Sequence, residues 1–279
     1  MWASLPGSVP PWRTLGDFTA FFPCQRNWAT LGASMTELFT IGYSPWSEKA
    51  RWALDHHRIA YREPGGYVPG FTVPWLRARY GMRETITMPF LVTGEERIHD
   101  SQRIARWAEA HGQGSPLFPP SDLDEIDRWN EDSEEVLDSG RAIFLWRLVE
   151  DPAARALMLP KWASGFPPLH AFARARSRAL LQKYGGVQRT KEAHTERMRA
   201  AFQRMSTALA DGRRHLLGRF TFADIAAANA VHYLTPVVHP RVPIAQGTHG
   251  VWAIDELAAE FPDLIGYRDA LYATDRTSE

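Results

Sequence analysis

Residues 36–57 read TELFTIGYSPWSEKARWALDHH, and this stretch decides the fold. Thr36–Ile41 is an apolar run of strand length. Pro45–His57 then sets Trp46, Ala50, Ala53, Leu54 and His57 at helical spacing. Between them Ser44 stands where an N-cap belongs and Pro45 at the first helical position, so the chain turns sharply from strand into helix. A capped helix start needs no function. The same geometry nevertheless leaves free backbone N–H groups, the positive end of a helix dipole and a serine hydroxyl at one point. Such a set stabilises an anion, a thiolate included.

Working outward, strand and helix alternate as far as residue 112. Ile59–Tyr61 predicts a second strand, and Pro74–Tyr80 a short helix closed by Gly81. Thr85–Thr93 (TITMPFLVT) predicts a strand that carries Pro89, and Arg97–His99 a brief fourth strand. Ser101–His111 predicts a helix, with Ile104, Trp107, Ala108 and His111 on one face and Gly112 at its end. The order is βαβ–α–ββ–α. A proline inside a strand pattern removes a ladder donor, which predicts an edge position or a special backbone at Met88-Pro89. A cis peptide there would expose neighbouring N–H and C=O groups to a ligand. Asp100-Ser101 opens a helix, as a plain cap or as a second group of N–H and hydroxyl donors for a carboxylate. Residues 113–121 (QGSPLFPPS) predict a linker. From Asp122 the pattern is helical throughout, with breaks near Gly165–Pro168, Gly185-Gly186, Gly212 and Pro236–Pro243 and no internal repeat. Residues 1–34 contain Pro6, Pro10, Pro11 and Pro23 and no sustained period. They predict a disordered or loosely docked arm, without the basic start and apolar stretch of a signal peptide. Met35 opens the patterned part and is a candidate start.

Composition narrows the classes of function. The 279 residues hold 32 basic and 32 acidic side chains, so nucleic acid is not an expected partner. Apolar residues at 44 % and charged ones at 23 % supply a sizeable core. The most apolar stretch, Phe220–Val238, is interrupted by Asp224, Asn229 and His232, so no membrane span is expected. Cys24 is the single cysteine, which excludes an internal disulfide or a CxxC centre and fits a reducing compartment. His56 and His57 are adjacent on a helix, about 100° apart, and cannot chelate one metal together. Arg174, Arg176 and Arg178 alternate with small residues on an expected solvated face, and Gly65-Gly66 is a turn without the context of a phosphate loop. No metal site is predicted.

Strand–SPWS–helix, then TMP within a strand, then DS opening a helix, then a proline-rich linker and an all-helical half: this order resembles the soluble glutathione S-transferase superfamily. Phe220-Thr221-Phe222-Ala223-Asp224-Ile225 looks like that family's buried capping motif. It also reads so on its own, with Thr221 as N-cap, Asp224 at N3 turned back to it, and Phe220 stapled against Ile225. Phe261-Pro262-Asp263-Leu264, with Tyr267 and Arg268, looks like the family's terminal helix. The resemblance spans residues 35–279. It implies an α+β thioredoxin-like N-terminal domain over 35–112, a linker over 113–121 and an all-α C-terminal domain over 122–279.

The resemblance also implies roles. Ser44 matches the family's activating Ser or Cys, which hydrogen-bonds the sulfur of the co-substrate glutathione. Ser47 matches the second position of the thioredoxin-like CxxC, and with serine at both places thiol–disulfide exchange through a protein cysteine is excluded. Met88, beside Pro89, would pair its backbone with the cysteinyl part of glutathione; Asp100 and Ser101 would hold its γ-glutamyl end, and Trp46 joins this set. The glycine carboxylate usually meets a basic or Gln residue; Thr87 lies near that position, with Arg83 as the nearest basic candidate. Tyr43, Trp46, Arg141, Phe144 and Trp146 are candidates to line an electrophile pocket between the domains, with core packing as the alternative for each. The resemblance further implies a cytoplasmic homodimer that conjugates glutathione to a small electrophile in detoxification. A second reading keeps the fold without the catalysis, as a dimeric protein-interaction module.

Overall fold

Strand β1 (Glu37–Phe39) is short and buried along its whole length, and its alternation divides the first half of the molecule into two layers. Leu38 points into a cluster with Ala50, Leu54, Leu91, Ile98, Ile104 and Ala108. Phe39 points the other way, into one with Leu76, Ile86, Phe90 and Val92. Helices α1 (Pro45–His56) and α3 (Ser101–His111) therefore cover one face of the sheet, and α2 (Thr72–Tyr80) covers the other. The computed structural model describes residues 36–276 except 69, 84, 95, 160–164 and 245–246. The arm expected over residues 1–34, with Cys24 and the candidate start Met35, lies outside the described residues.

Strands β2 (Phe90–Val92) and β3 (Arg97–His99) complete an antiparallel sheet in the order β1-β2-β3. The expected second strand at Ile59–Tyr61 is not formed, and only Arg62, just after it, makes one parallel bridge, to Glu37. Leu38 N–H donates to the Arg62 carbonyl at 2.8 Å and Arg62 N–H to that of Thr36 at 2.9 Å. Pro64 and Gly65-Gly66 follow at once, and a residue without an N–H followed by two glycines does not continue a ladder. The expected strand Thr85–Thr93 is likewise confined to the three residues after Pro89, which has no N–H to give. The Met88–Pro89 peptide is cis.

The second half is helical. Its elements are α4 (Leu123–Glu150), α5 (Pro152–Met158), α6 (Pro167–Lys183), α7 (Lys191–Leu209), α8 (Phe222–Ala230), α9 (His249–Trp252), α10 (Asp255–Glu260) and α11 (Pro262–Thr274). Every residue of α8 is buried, with α1, α4 and α11 packed around it. Gly140 lets α4 approach closely, since a Cβ there would meet the Tyr233 ring at 2.4 Å. The expected capping motif is present: Asp224 accepts the Thr221 N–H at 2.9 Å, the Leu216 N–H at 2.9 Å and the Tyr267 hydroxyl at 2.7 Å. The ring contacts of Phe220 go to Trp52, His56 and His215, so it ties the cap to α1.

Two features join the halves. The segment after α3 is docked, because Glu109 accepts the N–H groups of Leu117 and Phe118 at 2.6 and 2.9 Å and both side chains are buried. Trp52, Ala53 and Ala105, from the first half, belong to the core of the second. Among the described residues no helix is long and apolar enough to cross a membrane.

Candidate functional site

The ladder register brings three separated motifs to one edge of the sheet. Phe39 pairs with Phe90, and Phe90 with His99. The chain leaves β1 just after Phe39 towards Ser44, enters β2 just before Phe90 from Met88-Pro89, and leaves β3 just after His99 into Asp100-Ser101. Ser44, Met88-Pro89 and Asp100-Ser101 thus share the end at which α1 and α3 both begin.

At the first motif, Ser44 N–H donates to the Ile41 carbonyl at 2.9 Å and the Ser44 carbonyl accepts from Glu48 N–H at 3.0 Å. The Ser44 hydroxyl makes no capping bond to its own helix. Ser47, fully buried, accepts the Ile41 N–H at 3.1 Å through its hydroxyl oxygen and so closes the strand-to-helix turn. Of the two serines, Ser47 is committed to the backbone and Ser44 is not. At the second motif, Met88 stands beyond the last ladder pair. At the third, Asp100 takes φ 84°, outside the region ordinary residues favour, and its carboxylate accepts the Arg103 N–H at 3.0 Å as an N-cap. The neighbouring Ser101 hydroxyl is buried without a hydrogen-bond partner.

Helix α4 bonds the residues next to these motifs, Trp46 and Lys49 on α1 and Gln102 on α3. Glu134 accepts the Trp46 indole N–H at 2.6 Å and the Lys49 ammonium at 2.6 Å. Burial works to raise the Glu134 carboxyl, but the charge of Lys49 and the hydrogen bonds from Lys49 and Trp46 outweigh it, so the group lies below the usual carboxylate range. Arg141, one of the expected pocket residues, lies over the Trp46 ring at 4.7 Å and over Tyr184 at 4.0 Å, with Asp138 2.5 Å away.

Of the other expected pocket residues, Phe144 is stacked on Trp252 at 4.0 Å between ring centroids and Tyr43 meets the same indole at 5.0 Å with its ring tilted. Trp146 is not in that wall. Two residues beyond Phe144 on one helix, it lies about 200° around the axis, and its indole N–H is buried without a partner. Arg83 is exposed on the segment before Pro89. Sequence reasoning missed Trp252, Glu134, Tyr184 and Lys49. Lys49 carried a signal, a cation among the alanines and tryptophan of the buried face of α1; Trp252 carried none. Tyr67 is also near, its hydroxyl accepting from Arg176 on α6 at 3.4 Å, so the arginine run is not wholly solvated.

The family model described as glutathione S-transferase, N-terminal domain, matches residues 38–116. The model for the C-terminal domain matches residues 188–270. No curated protein sequence matches the chain. Among solved structures, a glutathione S-transferase from Methylobacterium radiotolerans in complex with glutathione sulfonate is 21 % identical. It is matched over 86 % of this chain and 92 % of its own, with a TM-score of 0.52. A glutathione S-transferase from Methylobacillus flagellatus with glutathione bound is 16 % identical over 85 % of this chain and 94 % of its own, TM-score 0.54. A beta-etherase from Sphingobium is 14 % identical over 86 % of this chain and 95 % of its own, TM-score 0.53. At such identities the likeness is one of fold. The two family spans, in the expected order and together more than half of the length, show that the chain belongs to the glutathione S-transferase superfamily.

Proposed function

We propose that the protein binds glutathione along the shared sheet edge and transfers its thiolate to a small, apolar or aromatic electrophile held between the halves. The observation that carries this reading is the register that gathers Ser44, Met88-Pro89 and Asp100-Ser101 at the starts of α1 and α3. The Ser44 hydroxyl donates to the sulfur. The Met88 backbone pairs with the cysteinyl unit, as one strand edge pairs with another. Asp100 meets the γ-glutamyl ammonium, and the partnerless Ser101 hydroxyl, with the α3 N–H groups, meets its carboxylate. Trp46 with Arg141, and Tyr43 with Phe144 and Trp252, form the walls for the electrophile.

The energetics are sufficient. A cysteine thiol has a pKa of about 8.5, and lowering it by about two units takes roughly 2.7 kcal/mol. A hydrogen bond to a charged group supplies about 1.5–3 kcal/mol, and a helix dipole about 0.5–1 kcal/mol. Ser44→Ala should therefore raise the midpoint of the pH–rate profile by about one to two units while largely preserving retention on glutathione-agarose. A generic chlorinated aromatic electrophile serves as substrate. If Ser44→Ala matches the parent, or Tyr43→Phe loses more, the hydroxyl is misassigned. A parent with neither retention nor turnover would instead support the non-catalytic interaction module. The family also suggests a cytoplasmic homodimer built from α3 of one chain against the helical half of the other; sedimentation at micromolar concentration showing only a monomer would exclude it.

A further inference from the structure

Lys49 is a fully buried cation one helical turn beyond Ser44. A buried ammonium costs several kcal/mol unless it is paired and hydrogen-bonded. Here each of its three donors has a partner on α4: Glu134 at 2.6 Å, Asn130 at 2.9 Å and Ser133 at 3.4 Å. Two arms run from this hub. One passes through the second oxygen of Glu134 to the Trp46 indole, two residues from Ser44. The other passes through Asn130, whose amide N–H donates to Gln102 at 3.2 Å, and Gln102 donates in turn to Asp127 at 2.5 Å. Gln102 is the neighbour of Ser101.

The second arm has a direction. An ammonium only donates and a carboxylate only accepts, so with Lys49 at one end and Asp127 at the other, both intervening amides take a single orientation. Without Lys49, Asn130 is free to turn its amide over, and Gln102 loses the partner that fixes it.

We propose that Lys49 is a positioning residue that holds the starts of α1 and α3 in one frame, through Glu134–Trp46 and through Asn130–Gln102, without itself touching a substrate. The proposal rests on glutathione binding at that edge. Its consequence is that the half-sites on the two helices are set by a single side chain and are not independent.

The test uses the full-length chain and two readouts. In ligand-free protein, the side-chain amide resonances of Gln102 should shift in Lys49→Met and in Asn130→Asp. The second variant keeps an acceptor for Lys49 but removes the donor to Gln102, so it serves where Lys49→Met folds poorly. By titration calorimetry, each variant should bind glutathione roughly tenfold more weakly, about 1.4 kcal/mol. Gln102→Leu should do the same, and Asn130→Asp with Gln102→Leu should be no worse than either alone, because both cut one chain of bonds. In turnover by Asn130→Asp and Gln102→Leu, which leave the Glu134–Trp46 arm in place, the KM for glutathione should rise while that for the electrophile stays, a split that general loosening of the fold would not give. Multiplying losses in the double variant, or parent-like affinity in Asn130→Asp, would overturn the positioning role. Unmoved Gln102 resonances would overturn the relay itself. A parent that shows the resonance shifts on substitution but binds no glutathione would bring down the reading of the site as well as this proposal, while leaving the relay as a measured fact.

Discussion

Ser44 and Ser47 are three residues apart on α1, yet only one has a free hydroxyl. Ser47 closes the turn from β1 by accepting the Ile41 N–H, whereas Ser44 makes no bond to its own helix. Ser47→Ala should thus lower the unfolding midpoint and leave the pH–rate profile in place, the reverse of Ser44→Ala. Two histidines make a separate case. His232 is buried with an unpartnered Nε2, and burial, then Arg268 and His249, bring its pKa down to about 3. His57 is lowered to about 4 by burial and by His56, with Glu109 3.7 Å away not offsetting it. Both rings are neutral in the fold, and in the unfolded chain they take up protons below about pH 6.5. Stability from this source is therefore complete above pH 6.5 and is lost as pH falls towards the folded values. Between pH 7 and 5.5 the two groups together should remove about 2–3 kcal/mol, seen as a falling urea midpoint. A midpoint unchanged over that range would show that neither ring is held neutral.

At the scale of the element, the start of α8 is where local sequence and tertiary packing agree most closely. Thr221 and Asp224 are both fully buried, and Asp224 accepts from Thr221 N–H, Leu216 N–H and the Tyr267 hydroxyl. Burial pushes this carboxyl up while those donors pull it down. Asp224→Ala would strand three buried donors, each at about 1–3 kcal/mol. The expected loss exceeds about 3 kcal/mol, more than a solvent-exposed cap of about 1 kcal/mol would lose. A change of under 1 kcal/mol by chemical denaturation would show that water reaches the cap. Thr221→Ala keeps the backbone N–H and should cost less.

At the scale of the molecule, the end of the described chain locks onto α1. Arg276 has no exposed side-chain surface; it donates to Glu48 at 2.7 Å and to Asp55 at 2.8 Å, and Arg241 reaches Asp55 at 3.0 Å. Trp52 adds an indole N–H to the Asp275 carbonyl at 3.3 Å and meets the Tyr272 ring edge-to-face at 4.8 Å. Arg276→Met leaves Glu48 buried without its nearest cation, which typically costs about 3–5 kcal/mol. The thermal midpoint should fall by roughly 10 °C. Because Trp52 lies in the core of the helical half, scanning calorimetry of the parent should show one transition for both halves. Two resolved transitions, or an unmoved midpoint in Arg276→Met, would mean that this junction contributes little.

What the sequence determined by itself are features whose causes lie within a turn or two of chain. The bounds of α1 and α3 follow from Ser44-Pro45, from Asp100 and Gly112 and from the apolar period. The Thr221–Asp224 cap, the change of period after residue 121 and the unusual backbone at Pro89 are of the same kind. The three candidate motifs were legible as three separate helix or strand ends. Only the tertiary structure decided that they meet, since the Phe39–Phe90 register is a property of pairing between strands more than fifty residues apart. It also decided that Ile59–Tyr61 forms no strand and only Arg62 beside it makes a bridge, that Leu117 and Phe118 dock into the core, and that Trp252 and Glu134 lie with the candidate site residues while Trp146 turns away. Periodicity tells that a side chain is buried. Which partner lies across from it depends on how helices distant in sequence pack, and no short stretch of chain carries that information.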